Sequence, residues 1–247
     1  MGKREVSITT PDGTMDAGLH TPAGEGPWPA VIMYPDAGGV RPTFDDMGQQ
    51  LADLGYAVLV PNFYYRQGEI APFDMKTVFS DPAERKRLMT LVGSVSKEDA
   101  TRDTEAMLDF LADQPEVAAT KVGTTGYCMG GGLALNAAGR FPERVGAAAS
   151  FHGGQIASTA PDSPHLLAGS MDAAVYVAGA EQDGSFDDEQ FERLAAALTD
   201  AGVDHTLVTY PALHGFAVPD NPTFDAAAAE RHWQALRDLY AKALVPA

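Results

Sequence analysis

Short apolar runs alternate along the chain with longer stretches in which apolar residues recur every three or four positions. The runs PAVIMYPD (29–36) and YAVLVPNFY (56–64) are apolar almost throughout and rich in β-branched residues, which is typical of strands buried on both faces. Between them, TFDDMGQQLADLG places Met47, Leu51 and Leu54 on one helical face. This alternation predicts a helix between two buried strands.

The same alternation continues to the end of the chain. SKEDATRDTEAMLDFLADQ predicts a helix with Ser96 as its N-cap. Further helices are predicted over MGGGLALNAAGRF, DDEQFERLAAALTDAG and FDAAAAERHWQALRDLY, each beyond an apolar run. Strands that alternate with helices form parallel sheets with right-handed crossovers. We therefore expect an α/β fold with about eight strands and helices on both faces of the sheet.

The N-terminal region departs from this alternation. EVSITT and MDAGLHTPA flank Pro-Asp-Gly, a sequence that favours a tight hairpin turn. The hairpin is expected to add antiparallel strands at one edge of an otherwise parallel sheet. With no repeat or low-complexity linker in the sequence, residues 1–247 are interpreted as a single domain.

Composition narrows the classes of function. The net charge of −17 argues against binding to nucleic acid or to an anionic membrane surface. No apolar run is long enough to span a bilayer, the N-terminus lacks the apolar core of a signal peptide, and the single cysteine cannot form an internal disulfide. These features predict a cytoplasmic protein, either a monomer or a weak homo-oligomer.

The single cysteine lies in the sequence GYCMGGG, between a predicted strand and a predicted helix. A nucleophile in a sharp strand-to-helix turn needs small neighbours two residues away, which Gly126 and Gly130 supply. The following helix N-terminus favours a thiolate, and the N–H of Met129 would face a developing oxyanion. The alternative is that Cys128 is a small buried hydrophobic residue beside a turn.

Two other predicted strands end on residues that could complete a catalytic triad. Asp183 follows the apolar run AAVYVAGAEQ, and His214 follows HTLVTYPAL. The order nucleophile, acid, histidine is that of the α/β-hydrolase fold. Glu181 and Asp187 remain rivals for the acid, and Asp183 alone could equally be a turn residue.

The loop after the first buried strand, in YPDAGG, supplies a second oxyanion N–H in this fold, which we assign to Ala37. Asp36 beside it has an unusual charge for a site that stabilises an anion, although an aspartate before two glycines also suits a turn. His152 follows another strand in FHGG and is a candidate to line the pocket.

The combined motifs GYCMGG, GAEQD, HGF, YPDAGG and PNFYYR resemble those of the dienelactone hydrolase family, the carboxymethylenebutenolidases, which are cysteine-dependent members of the α/β-hydrolase fold. They occur between residues 31 and 216 in the family's order. The resemblance implies a triad of Cys128, Asp183 and His214. It also implies that the acid at position 36, often glutamate in the family, interacts with the resting thiol.

The resemblance extends to substrate binding. In the family, an arginine in the segment that matches PNFYYR holds a substrate carboxylate, which implies this role for Arg66, with Tyr64 and His152 as further substrate-binding candidates. A surface arginine is the alternative for Arg66. A second family arginine, four residues after the catalytic histidine, is replaced here by Val218, so half of the expected clamp is missing.

Residues 66–96 form a long connection between a strand and the next long helix. Such a segment is expected to pack over the site, although its apolar residues could simply hold a short helix on the core. The whole pattern predicts a hydrolase of small-molecule esters or lactones that bear a carboxylate, without metal or organic cofactor. The alternatives are a promiscuous carboxylesterase or thioesterase, or a non-catalytic thiol-bearing binding or redox-sensing protein.

Overall fold

Eight strands form one sheet in the order β1-β2-β4-β3-β5-β6-β7-β8. The structure is a computed structural model that describes residues 2–244. The strands are β1 (Lys3–Thr10), β2 (Gly13–His20), β3 (Trp28–Tyr34), β4 (Ala57–Pro61), β5 (Val117–Tyr127), β6 (Val145–Phe151), β7 (Ala174–Gln182) and β8 (His205–Leu213).

The antiparallel part of the sheet is confined to its N-terminal edge. β1 and β2 pair from Lys3↔His20 to Thr10↔Gly13, so that the Pro-Asp-Gly sequence turns the hairpin as its composition predicts. β2 then pairs antiparallel to β4, and all remaining neighbours are parallel. The predicted α/β-hydrolase architecture, with about eight strands and an antiparallel hairpin, is confirmed.

Six α-helices lie between residues 2 and 244: α1 (Pro42–Ala52), α2 (Pro82–Val92), α3 (Lys97–Ala112), α4 (Met129–Arg140), α5 (Asp188–Asp200) and α6 (Ala226–Ala243). The apolar residues of α3, α4 and α5 pack in a core on one face, and those of α1 and α6 pack on the other. Successive residues of β3 alternate between the two cores, since neighbouring side chains of a strand point to opposite faces. None of the helices described between residues 2 and 244 has the length and hydropathy needed to cross a membrane.

Several helices begin where the sequence places a polar cap. The Ser96 hydroxyl accepts the N–H of Asp99 at 3.0 Å at the start of α3, as predicted. Asp187 and Asp225 cap α5 and α6 in the same way. The cap at Asp187 gives this residue a structural position at the start of α5, which removes it as a rival for the acid.

The carboxyl ends of the parallel strands gather the candidate residues on one edge of the sheet. Asp36 follows β3, Cys128 follows β5, His152 follows β6, Asp183 follows β7 and His214 follows β8. Loops at this edge are where ligands bind in open parallel sheets.

Residues 66–96 pack over this edge. A separate apolar cluster, which we call the lid cluster, joins Phe73, Met75, Val78 and Leu88 to Ala37 in the loop after β3. Met129 is packed against the same cluster. The segment therefore covers the loops that follow β3 and β5, and its helix α2 is the short helix that the sequence left as an alternative.

Candidate active site

Cys128 stands in a strained turn between β5 and α4. Its φ of 55° and ψ of −119° place a residue with a side chain in a region that L-residues rarely occupy. A side chain at Gly126 would overlap the carbonyl of Gly130, and one at Gly130 would overlap the carbonyl of Tyr34. The two glycines are therefore required by the close approach of backbone around Cys128.

This crowding predicts unequal effects of two alanine substitutions, one on each side of Cys128. Gly126→Ala should lower the free energy of unfolding by about 2 kcal/mol or more, because backbone atoms must move to admit the new methyl group. Gly132→Ala is the matched control: a Cβ there meets no atom closer than 3.8 Å, and alanine should stabilise α4 by about 0.5–1 kcal/mol. Urea unfolding of both variants measures the difference, and equal stabilities would contradict the crowded turn.

His152 lies directly behind the turn. The backbone N–H of Cys128 donates to His152 Nδ1 at 3.2 Å, which assigns the ring proton to Nε2. Burial, reinforced by the neighbouring His214 and His232, lowers the pKa of His152 well below its ordinary value, so the ring is neutral. Its Nε2 is buried without a partner among the residues described, and the ring lies 5.1 Å from that of His214.

Asp183 and His214 form a close pair. His214 Nδ1 lies 2.6 Å from Asp183 Oδ2. The other carboxylate oxygen, Oδ1, accepts the backbone N–H and the hydroxyl of Ser185 at 2.9 and 2.5 Å. Burial raises the pKa of Asp183, but these hydrogen bonds more than compensate and lower it below its ordinary value. Asp183 is therefore a carboxylate held in one orientation, and the exposed Glu181 makes no comparable contact among residues 2–244.

The protonation of His214 depends on both of its neighbours. Burial alone would lower the pKa of His214, but hydrogen bonds with Asp183 and Cys128, together with their negative charges, raise it to about 10. His214 therefore carries a proton at neutral pH.

Two backbone N–H groups stand free near the thiol. Those of Ala37 and Met129 donate no hydrogen bond to any residue in the part of the chain described. Tyr64 fixes the first of them, since its hydroxyl donates to Ala37 O at 2.9 Å and to Met129 Sδ at 3.4 Å. Tyr64 was predicted to bind substrate, but its side chain is buried, with 3% exposed, and does not line the cavity at Cys128. Its hydroxyl contacts the backbone of the loop after β3 instead.

A cavity of about 340 Å³ opens onto these groups. Cys128, His152 and His214 line it together with Asp36 and Ala37. The remaining wall is formed by residues of the segment 66–96 and of the loop after β8: Met75, Phe79, Gly215, Asn221, Pro222 and Thr223. The predicted residues Cys128, His214, Ala37 and His152 thus share one cavity, and among residues 2–244 its lining contains no lysine or arginine.

Asp36 makes contacts that the sequence did not predict. Both of its carboxylate oxygens accept from Arg41, at 2.7 and 2.9 Å, and Oδ1 also accepts the N–H of Gly38. Arg41 donates from its other side to Asp220, at 2.7 and 2.8 Å. The resemblance implied that Asp36 interacts with the resting thiol, but both of its carboxylate oxygens are instead paired with Arg41.

Arg66 lies elsewhere, which corrects its predicted role in substrate binding. Its guanidinium donates to both oxygens of Asp103 in α3, at 2.7 and 2.8 Å, and to Asp12 in the hairpin turn at 2.6 Å. It does not line the cavity at Cys128. Because its guanidinium is paired with the carboxylates of Asp103 and Asp12, Arg66 has a structural role.

Val218 also has a structural position. Its side chain is fully buried in the core beneath α6, packed in the cluster that contains Phe216 and Trp233. An arginine introduced at this position would have to enter that core, so the second half of a carboxylate clamp cannot be restored there.

Arg41, Asp220 and Ser185 are site residues that the sequence reasoning missed. Ser185 had a local signal, because a serine two residues after an aspartate commonly donates to its carboxylate. Arg41 follows Asp36 by only five residues, but its link to Asp220 spans 179 positions and is visible only in the fold.

Comparison with known sequences finds matches to one enzyme family. The sequence model of the dienelactone hydrolase family matches residues 15–244. A relative from Synechocystis sp., named as a carboxymethylenebutenolidase, is 29% identical over 226 residues, which cover 90% of this chain and 89% of the relative.

Solved structures are similar over the full fold. A dienelactone hydrolase from Klebsiella pneumoniae superposes with a TM-score of 0.84 at 25% identity, covering 97% of this chain and 98% of that one. A dienelactone hydrolase-like promiscuous phosphotriesterase, P91, from metagenomic libraries superposes with a TM-score of 0.79 at 25% identity, covering 99% and 100% of the two chains.

Proposed function

Since this chain belongs to the dienelactone hydrolase family and is a hydrolase of ester or lactone bonds, we propose that Cys128 is its nucleophile. His214 is the general base and acid, and Asp183 orients it. The observation that carries the proposal is the 2.6 Å contact between Asp183 and His214 at the wall of the cavity that also holds Cys128.

The proposed reaction starts from a thiolate at Cys128 paired with an imidazolium at His214. The sulfur of Cys128 attacks the substrate carbonyl carbon, and the carbonyl oxygen becomes an oxyanion that accepts the free N–H groups of Ala37 and Met129. Collapse of this intermediate breaks the bond to the leaving oxygen, which takes the proton from His214. The acyl group remains on Cys128 as a thioester.

Water completes the cycle. Neutral His214 removes a proton from a water molecule that attacks the thioester carbonyl, and the same two N–H groups receive the second oxyanion. The carbon–sulfur bond then breaks, the acid product leaves, and the proton on His214 restores the resting pair. Asp183 stays ionised throughout, because its role is to hold the ring and its tautomer.

The cavity favours an uncharged acyl group. The carboxylate-bearing substrates implied by the family resemblance require a guanidinium in the pocket, but Arg66 is bound to Asp103 and Asp12. Arg41, at the rim, is shared between Asp36 and Asp220. An anionic acyl group would therefore meet carboxylates without a free cation, in a chain whose net charge is −17. Met75, Phe79 and Pro222 offer it only apolar surface.

Two p-nitrophenyl esters of matched size test this substrate class. The isocaproate ester has a neutral branched end, and the monosuccinate ester places a carboxylate in the same position. We expect kcat/KM to favour the isocaproate by about ten-fold or more, as the loss of a charged hydrogen-bonded partner predicts. Arg66→Met should leave both values unchanged. Preference for the succinate, abolished by Arg66→Met, would show instead that Arg66 receives a carboxylate.

The same machinery suits related reactions. A thioesterase or a promiscuous carboxylesterase would use the identical triad, and the neutral cavity would also admit an uncharged phosphotriester of the kind that the name of P91 indicates for that protein. Adding an acyl-thioester and a neutral phosphotriester to the panel ranks these activities by kcat/KM. A non-catalytic thiol-bearing protein would turn over none of the panel.

A further inference from the structure

We propose that Arg41 is a positioning residue for the thiol: its guanidinium cancels the charge of Asp36, which lines the same cavity as Cys128, and joins the loops that carry Ala37 and His214. The inference rests on the proposed function of Cys128 but concerns a residue outside the triad. It explains why Arg41 forms ion pairs with both Asp36 and Asp220.

The contacts of Arg41 are those of a saturated guanidinium. Nη1 and Nη2 donate to the two oxygens of Asp36, and Nε and Nη2 donate to the two oxygens of Asp220. Nη1 also donates to Gly39 O at 3.2 Å. Only 8% of the Arg41 side chain and 5% of the Asp36 side chain are exposed. Planar, bidentate pairing on two sides fixes the positions of both carboxylates.

These contacts connect the two loops that the proposed reaction uses. Asp36 and Gly39 flank Ala37, the proposed oxyanion donor, in the loop after β3. Asp220 belongs to the loop between β8 and α6, which begins with His214. A side chain at Gly38 would meet Arg41 Nη1 at 2.8 Å, so the guanidinium packs directly against the oxyanion loop.

Among residues 2–244, the titratable groups that line the cavity with Cys128 follow three other strands: Asp36 after β3, His152 after β6 and His214 after β8. Tyr64, after β4, and Asp183, after β7, contact the cavity wall at Ala37 and His214. Burial raises the pKa of Tyr64 and lowers that of His152, so both are neutral. Asp183 is paired with His214.

Asp36 is then the carboxylate that remains to oppose a thiolate. A negative charge in the wall of the cavity that holds Cys128 would disfavour the ionised sulfur. The ion pair with Arg41 removes this opposition to a thiolate. Without Arg41, the carboxylate of Asp36 would be buried in that wall with no cationic partner.

Alkylation of the single cysteine by iodoacetamide reports the thiolate directly and needs no turnover. The rate is measured against pH by mass spectrometry in wild type, Arg41→Met, Asp36→Asn, the double variant Arg41→Met/Asp36→Asn, and Arg66→Met. Arg66 is the matched control because it is also held by two aspartates but lies outside the cavity.

In Arg41→Met, the midpoint of the labelling profile should move to higher pH by about one unit or more, with labelling about ten-fold slower below the midpoint. The double variant should return to within about half a unit of wild type, since no uncompensated charge remains. Arg66→Met should superpose on wild type. A shift that is absent in Arg41→Met, or equal with and without Asp36, would show that Arg41 only stabilises the loops.

If Arg41→Met alone fails to fold, the double variant decides the question. It leaves no buried carboxylate of Asp36 without a partner, so it should fold and keep a labelling profile close to that of wild type. A double variant that is unfolded, or that is labelled with a displaced profile, overturns the proposal. Ester turnover by Cys128→Ala tests the proposed function separately, because the labelling experiment requires only a thiol in this cavity.

Discussion

Cys128→Ala is expected to lower kcat/KM for p-nitrophenyl isocaproate by about three orders of magnitude or more. Alanine removes the atom that forms the covalent intermediate, and neither His214 nor the oxyanion donors can replace it. Residual turnover would come from the N–H groups of Ala37 and Met129 acting on a direct attack by water. Initial rates over a range of substrate concentrations measure the effect.

The fold should tolerate the loss of the sulfur. Alanine keeps the Cβ that the turn already accommodates, and its neighbours Gly126 and Gly130 are unchanged. The melting temperature of Cys128→Ala should therefore stay close to that of wild type. Gly132→Ala, a change in the helix α4 that follows Cys128, should retain activity. The variant is purified from a host without esterase background. A kcat/KM of Cys128→Ala within about ten-fold of wild type would exclude covalent catalysis at this residue.

Asp183→Asn should lower kcat by about 10³–10⁴-fold with little change in the fold. The carboxylate accepts the Nδ1–H of His214, whereas an amide in the same place can donate to Nδ1 and so turn the ring to the wrong tautomer. Nε2 would then carry a proton and could no longer accept one from the thiol or from water. The effect on kcat should exceed the effect on KM.

Glu181→Gln is the matched control for this variant. Glu181 is two residues away, at the end of the same strand, and is exposed. Its replacement should leave kcat within about two-fold of wild type, because the Ser185 and His214 contacts all belong to Asp183. A large loss in Glu181→Gln with little loss in Asp183→Asn would reassign the acid to the residue that the sequence left as a rival.

The Asp183–His214 pair also makes the effect of Asp183→Asn on the free energy of unfolding depend on pH. His214 has a pKa raised to about 10 in the folded protein against 6.5 as its ordinary value. Because folding raises the pKa of His214, its contribution to stability is complete at pH values below the pKa of the unfolded state. This contribution is lost as pH rises through the pKa of the folded state. The stability difference between wild type and Asp183→Asn should therefore be largest near pH 6.5 and narrow toward pH 10.

Sequence alone predicted the features that local pattern determines. The buried strands, the N-cap at Ser96 and the hairpin at Pro-Asp-Gly each follow from residues close together in the chain. The pairing of Asp183 with His214 was predicted because parallel strands end at one edge, which brings distant residues together without a need for side-chain detail.

The contacts of Arg66 and Arg41 could not be predicted from the sequence. Nothing local distinguishes Arg66 from a substrate ligand, because its partners Asp103 and Asp12 come from a helix and a hairpin far along the chain. Arg41 was overlooked for the same reason, since Asp220 approaches it only after the fold has formed. Charge pairing between distant elements depends on side-chain geometry that hydrophobic periodicity does not encode.

The covalent thioester at Cys128 is the most direct test of the proposed mechanism. Wild-type enzyme is mixed with p-nitrophenyl isocaproate, quenched in acid within the first turnover, digested and analysed by mass spectrometry. The mechanism predicts one isocaproyl group on the peptide that contains Cys128 in wild type, and none on the corresponding peptide of Cys128→Ala. A peptide that stays unmodified throughout turnover, or an acyl group on another residue, would contradict it.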